Sequence, residues 1–130
     1  MVIQRFMLLL SRKEARKLDS YLSGSIGIPA DILAERAGIA LAKACLVRIS
    51  GQQIPDPKVV VYAGKGMNGA DALVCARELA GRGIRPVIRM ASDGSDDAMK
   101  WQIRACRNLG LDIIASNDTG MIDNKVPDVI

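Results

Sequence analysis

Histidine is absent from the 130-residue chain, which removes Ser-His-Asp triads and imidazole metal sites from consideration. Aromatic residues amount to only 3%, too few for the stacking platforms on which single-stranded nucleic acids lie. Nucleic acid is therefore not an expected partner. Cysteine occurs three times, at Cys45, Cys75 and Cys106, with no C-x-x-C pair. An odd, widely spaced set is no disulfide framework, and it reads as the reduced, buried thiols of a cytoplasmic protein. No apolar run approaches the roughly 20 residues of a bilayer-spanning helix, so no membrane partner is expected. The opening stretch Met1–Leu10 has an apolar run but no small-residue cleavage site, and the charged Ser11-Arg12-Lys13-Glu14 follows it directly. It does not read as a targeting segment.

What is present suits one soluble globular domain. Apolar residues make up 49% and charged residues 25%, and the length is enough for a real core. The net charge of +4 is spread along the chain rather than gathered in a tract, which suits an anionic small ligand better than a polyanion.

Ser11 and Glu14 have the spacing of a capping box before a helix with Ala15, Leu18, Tyr21 and Leu22 on one face, ending at Ser23-Gly24. A second helix follows Pro29 and reaches about Ile49, with Ile32, Leu33, Ala37, Ala40, Leu41, Ala44, Cys45 and Val47 as its apolar positions. Small residues along it (Ala37, Gly38, Ala40, Ala44) permit close packing. Beyond a proline-bearing linker, residues 51–57, the pattern alternates. The spacing predicts a strand at 58–62, a helix over 72–83, a strand at 85–90, a helix over 96–109 and a strand at 111–114. A short helix at 118–124 and a strand beginning at 126 complete the pattern. Alternation of this kind implies a parallel sheet with right-handed crossovers. The apolar Val129-Ile130 stand without a following turn, and the domain is expected to be truncated there, with an exposed sheet edge at 126–130.

The chemistry centres on the turn Ala63-Gly64-Lys65-Gly66-Met67-Asn68-Gly69-Ala70-Asp71-Ala72. A strand, a glycine-rich turn and a helix in succession aim backbone N–H groups at an anion. Gly64-x-Gly66-x-x-Gly69 has the spacing of the dinucleotide fingerprint, which calls for an acidic residue about twenty positions on. Asp93 is near that distance but falls in a turn. The Walker A pattern fails, because no Gly-Lys-Ser/Thr closes the loop. A turn that needs glycine only for its backbone is the competing explanation. Asn68 and Asp71 count against it, since such a turn does not require them at the mouth of a sheet. Asp71, placed in the first turn of the following helix, also complements the helix dipole.

The run Gly64-Lys65-Gly66-Met67-Asn68-Gly69-Ala70-Asp71-Ala72-Leu73-Val74, with Ala76-Arg77-x-Leu79, resembles the G-K-G-N-N-G-G-D-G-L-V-x-A-R-x-L signature of the NAD(P)H-hydrate epimerase family, the YjeF-type amino-terminal domain. Three further stretches agree. Met7–Asp19 is similar to the family's opening helix. Ile28-Pro29-x-x-Ile32-Leu33-x-Glu35-x-Ala37-Gly38 is similar to its G-I-P-x-x-x-L-M-E-x-A-G segment. Pro127-Asp128-Val129-Ile130 is similar to the start of its D-L-I-V strand.

The resemblance implies a Rossmann-like three-layer α/β/α fold with a mostly parallel sheet, two leading helices and an incomplete C-terminal part. It implies epimerisation of hydrated NADH and NADPH, a cofactor-repair reaction. It places Met67, Asn68, Gly69, Ala70 and Asp71 against the ligand and Asn68 on a potassium ion. The sequence departs from the pattern at Met67, where the family has Asn, and at Ala70 and Ala72, where it has glycines whose replacement adds methyls near the ligand. The family's downstream carboxylate follows the D-L-I-V strand, so this polypeptide alone is expected to be inactive and its catalytic residue is unknown. A homodimer, or association with a missing C-terminal half, is the expected assembly. Two other readings compete with the enzyme. One is a non-catalytic binding or dimerisation module, as related domains of decapping-enhancer and apolipoprotein-binding proteins are. The other is a purely structural fragment.

Overall fold

The computed structural model describes residues 9–91 and 97–115. It divides into two compact units, Met1–Leu33 and Ala34–Ile130.

In the first unit, α1 (Arg12–Gly24) begins with the expected capping box. The Ser11 N–H donates to Glu14 Oε2 at 2.8 Å and the Glu14 N–H donates to Ser11 Oγ at 3.3 Å, satisfying two N–H groups that the first turn cannot pair itself. The Ser11 hydroxyl and N–H together hold the Glu14 carboxyl below its ordinary range. No residue of α1 is buried, and Leu18 and Tyr21 of the expected apolar face are exposed.

Helix α2 (Ala30–Gln52) starts after Pro29, as the sequence indicates, and runs three residues past the expected end. Its buried face differs from the expected one: Ala34, Gly38, Ala42 and Ile49 face inward, whereas Ile32, Leu41 and Val47 are exposed. The reason lies in composition. This helix is apolar nearly all round, so periodicity does not select a face, and close approach of a neighbouring helix selects the smallest residues instead.

The second unit continues with β1 (Val60–Ala63), α3 (Gly66–Gly81), β2 (Val87–Met90), α4 (Asp97–Asn108) and β3 (Ile113–Ala115). The three strands form a parallel sheet in the order β1-β2-β3. Val60 is paired with Val87 and Ala63 with Met90, while Ile88 is paired with Ile113. This is the α/β, Rossmann-like arrangement that the alternation predicts. The second strand starts later than expected because Pro86 has no N–H to donate. Alternation along β1 and β2 buries Val61, Ala63, Ile88 and Met90 on one face of the sheet, where they join Leu73, Ala76 and Leu79 of α3 and Met99, Ile103 and Cys106 of α4 in one apolar core. On the opposite face Tyr62 is exposed. Gly83, with φ +85°, turns the chain from α3 towards β2 in a conformation that disfavours side chains. The expected helix at 118–124, the strand from 126 with its exposed edge, and the turn holding Asp93 lie outside the described residues.

Candidate functional site

Strand β1 delivers the chain to Gly64 at its carboxyl end, the end at which parallel α/β sheets bind ligands. Only Gly64 and Lys65 separate the strand from α3, so most of the expected loop is helix. The sequence reading starts this helix at Ala72; the structure starts it six residues earlier. Glycines at 66 and 69 disguise the beginning, because glycine is a poor helix former by about 1 kcal/mol relative to alanine. Here they serve local geometry. Gly66 has φ +67°, the left-handed conformation that lets the chain reverse within one residue. Gly69 lies where the turn folds back. A Cβ there would overlap the Gly64 carbonyl oxygen and stand 2.8 Å from Met99 Cε.

The early start sets where each predicted residue stands. Met67, Asn68 and Asp71 are related as i, i+1 and i+4 on α3 and share its open side: Met67 and Asn68 are exposed and Asp71 is half-buried. Gly69 and Ala70 are buried and can meet a ligand only through backbone. Ala70 belongs to the core and Ala72 packs against it. The helix turns them inward. Asp71 sits in the second turn, and no acidic residue lies in the first, which corrects its expected place beside the dipole.

Lys65 is the N-cap residue, and its own side chain makes no capping hydrogen bond. The positive end of the α3 dipole, the exposed Lys65 ammonium and the lack of an acid in the first turn together make this end of the sheet suited to an anion.

A polar cluster lies further along the same helix. Arg77 pairs with Glu35 of α2, and its Nε donates to Gln102 Oε1 of α4 at 2.9 Å. Gln102 Nε2 lies 3.5 Å from the Glu35 carboxylate. The Arg77 guanidinium also stacks over the Trp101 ring at 5.6 Å. Glu35 lies 42 positions from Arg77, on α2, whereas the sequence by itself suggests a local ion pair for Arg77. Gln102 is not singled out there, although a signal exists: it interrupts the apolar stripe Met99, Ile103, Cys106, and a polar residue on a buried stripe implies a partner.

The cysteines are free, with Cys75 and Cys106 buried and Cys45 half-buried. Burial, with the nearby Cys45, pushes Cys75 up to about 11. Burial raises Cys106 to about 11 against the lowering effect of Arg77. Neither is a nucleophile at neutral pH. Among the described residues no group of three or more Cys, Asp or Glu side chains could hold a metal ion, and no helix is long and apolar enough to cross a membrane.

Comparison with known proteins agrees with this picture. The family described as YjeF-related protein N-terminus matches residues 30–130. A protein of Puccinia graminis f. sp. tritici named NAD(P)H-hydrate epimerase is 35% identical over 112 residues, covering 85% of this chain and 46% of the relative. One of the same name from Caenorhabditis elegans is 30% identical over 112 residues, covering 86% and 46%. The crystal structure of yeast ynu0 superposes with a TM-score of 0.74 at 29% identity, covering 88% of this chain and 49% of that one. The chain thus spans about half the length of the curated relatives it matches. With its glycine turn, helix and parallel sheet inside the matched region, the chain belongs to the YjeF-related N-terminal family.

Proposed function

We propose that the chain binds hydrated NADH or NADPH through the amino end of α3 and carries one part of an NAD(P)H-hydrate epimerase site. The observation that bears most weight is the early start of α3. It brings the amino end of a helix, Lys65, Asn68 and Asp71 to the carboxyl end of β1, and relatives bearing the epimerase name match across this segment. Ligand phosphate is received by the backbone N–H groups of the first turn with Lys65 beside them. Gly69 and Ala70 contribute backbone only, Met67 offers an apolar contact at the rim, and Asn68 and Asp71 offer polar ones.

A potassium ion fits the donor chemistry of this turn: Asn68 and Asp71, three residues apart on one helix face, present an amide oxygen and a carboxylate, the hard oxygens such a cation prefers. Bound there, the ion would supply positive charge beside the ligand. Asp71 is the single carboxylate of the turn, and acid–base catalysis of epimerisation calls for both a proton donor and a proton acceptor. Turnover by this chain alone is therefore expected to be slow or absent. Free thiols suit a reducing compartment, and a cytoplasmic location belongs to the same proposal, as does assembly into a homodimer or with a complementary C-terminal half.

The direct test follows the two epimers of hydrated NADPH by chromatography with the chain added, in potassium and in sodium. Ligand protection against proteolysis, dependent on Lys65, is expected even if exchange is slow. Absence of both exchange and protection rejects the proposal and leaves a non-catalytic binding or dimerisation module as the alternative.

A further inference from the structure

The start of α3 is held from two sides by residues that lie outside it. On α2, a Cβ at Gly38 would overlap that of Val74, stand 2.5 Å from Val74 Cγ1 and 2.6 Å from the Asp71 carbonyl oxygen. On α4, the fully buried Met99 puts its Cε 2.8 Å from the place a Gly69 Cβ would take. One helical turn from each contact, the same three helices are tied by polar groups: Glu35 lies three residues before Gly38, Arg77 three after Val74 and Gln102 three after Met99, and these three side chains bond to one another. Such a cluster fixes the register of α2 and α4 on α3, because sliding either helix would leave a charge or the buried Gln102 amide unpaired. The register then determines what stands behind Asp71 and Gly69.

We infer that Gly38 and Met99 are positioning residues for the ligand site: Gly38 sets the seat of Asp71, and Met99 sets the fold-back of Gly64 over Gly69. The inference rests on the binding role proposed above for what the residues serve, but the positioning itself is a property of the ligand-free chain. A methyl group at 38 meets backbone at Asp71, which cannot rotate away as a side chain does, so the second turn of α3 must shift. Loss of the Met99 side chain removes the floor beneath Gly69, and the turn settles into the space.

Ligand-free amide spectra of Gly38→Ala, Met99→Ala and a control, Leu79→Val, test this. Leu79 is fully buried on α3 beyond Val74, so the control loosens the core without touching the turn. Both positioning variants are expected to move or broaden the amide signals of residues 64–71, and the control to leave them in place. Titration with hydrated NADPH then gives an affinity at least about tenfold weaker for the two variants, the scale of a small misplacement in a preorganised site, and near wild type for the control. Unmoved signals in both variants, or equal movement in the control, would overturn the inference. If Gly38→Ala does not fold, Met99→Ala decides. If the wild-type chain does not respond to hydrated NADPH, the ligand reading falls while the ligand-free spectra still decide the positioning.

Discussion

Replacing Gly69 by alanine separates the two things a helical glycine can be for. Gly69 is the fourth residue of α3, and its φ is not positive, so alanine fits the backbone there. On propensity alone the substitution stabilises, by about 1 kcal/mol. Opposing this, the new methyl overlaps the Gly64 carbonyl oxygen, stands 3.0 Å from the Gly64 carbonyl carbon and 2.8 Å from Met99 Cε. The Met99 methyl ends a flexible side chain but is fully enclosed, and the Gly64 carbonyl is backbone. Overpacking of this kind costs about 1–3 kcal/mol, and a backbone obstacle places Gly69 at the upper end. The net expectation is a loss of about 1–2 kcal/mol, or a Tm lowered by roughly 4–8 °C for a chain of this size.

Gly81 supplies the internal comparison. It is the last residue of α3, with nothing within 4 Å of where its Cβ would stand, and Gly81→Ala should raise stability by about 0.5 kcal/mol, the lower end of the helix-interior gain. Thermal melts of the two variants beside wild type, followed by circular dichroism, give the answer as opposite signs. A Gly69→Ala variant as stable as wild type, or one that falls no further than Gly81→Ala, would refute the claim that the turn folds back onto α3.

Glu35→Ala should destabilise by about 2 kcal/mol in urea melts, less than the 3–5 typical of a broken buried pair because both partners keep some solvent contact; a loss under about 0.5 kcal/mol would show that the cluster is ornamental. Cys75 and Cys106 should react with a disulfide reagent at pH 8 about a hundredfold more slowly than in the unfolded chain, since burial lifts both from 9.0 to about 11, whereas reaction at the unfolded rate would contradict their burial. The sign of the linked stability follows: a thiol raised on folding contributes fully below its unfolded value near 9.0 and loses that contribution as pH climbs towards about 11. The melting temperature should therefore fall across that interval, and Cys75→Ala should flatten the decline.

The order of elements was legible because each strand is a short apolar run and each helix after it is bounded by glycine or a charged turn. Ser11 and Glu14 announced α1, and Pro29 announced the start of α2. Two features were hidden, for different reasons. The inward face of α2 was illegible because leucine, valine and alanine surround the helix, and the choice of Ala34, Gly38 and Ala42 is made by Val74 and the Asp71 carbonyl on another helix. The start of α3 was illegible because its first residues have the composition of a turn. Gly66 serves a reversal and Gly69 an encounter with Gly64, and neither need is visible without the third dimension. Both errors concern one small volume, where α2, α3 and α4 meet beneath the candidate site. Local propensity and tertiary need conflict there, and such conflict is tolerated where function or close packing demands it. A glycine kept in a helix at a cost of about 1 kcal/mol, against a carbonyl that leaves no room for a methyl, is explained by the position of that carbonyl and not by the stability of the helix itself.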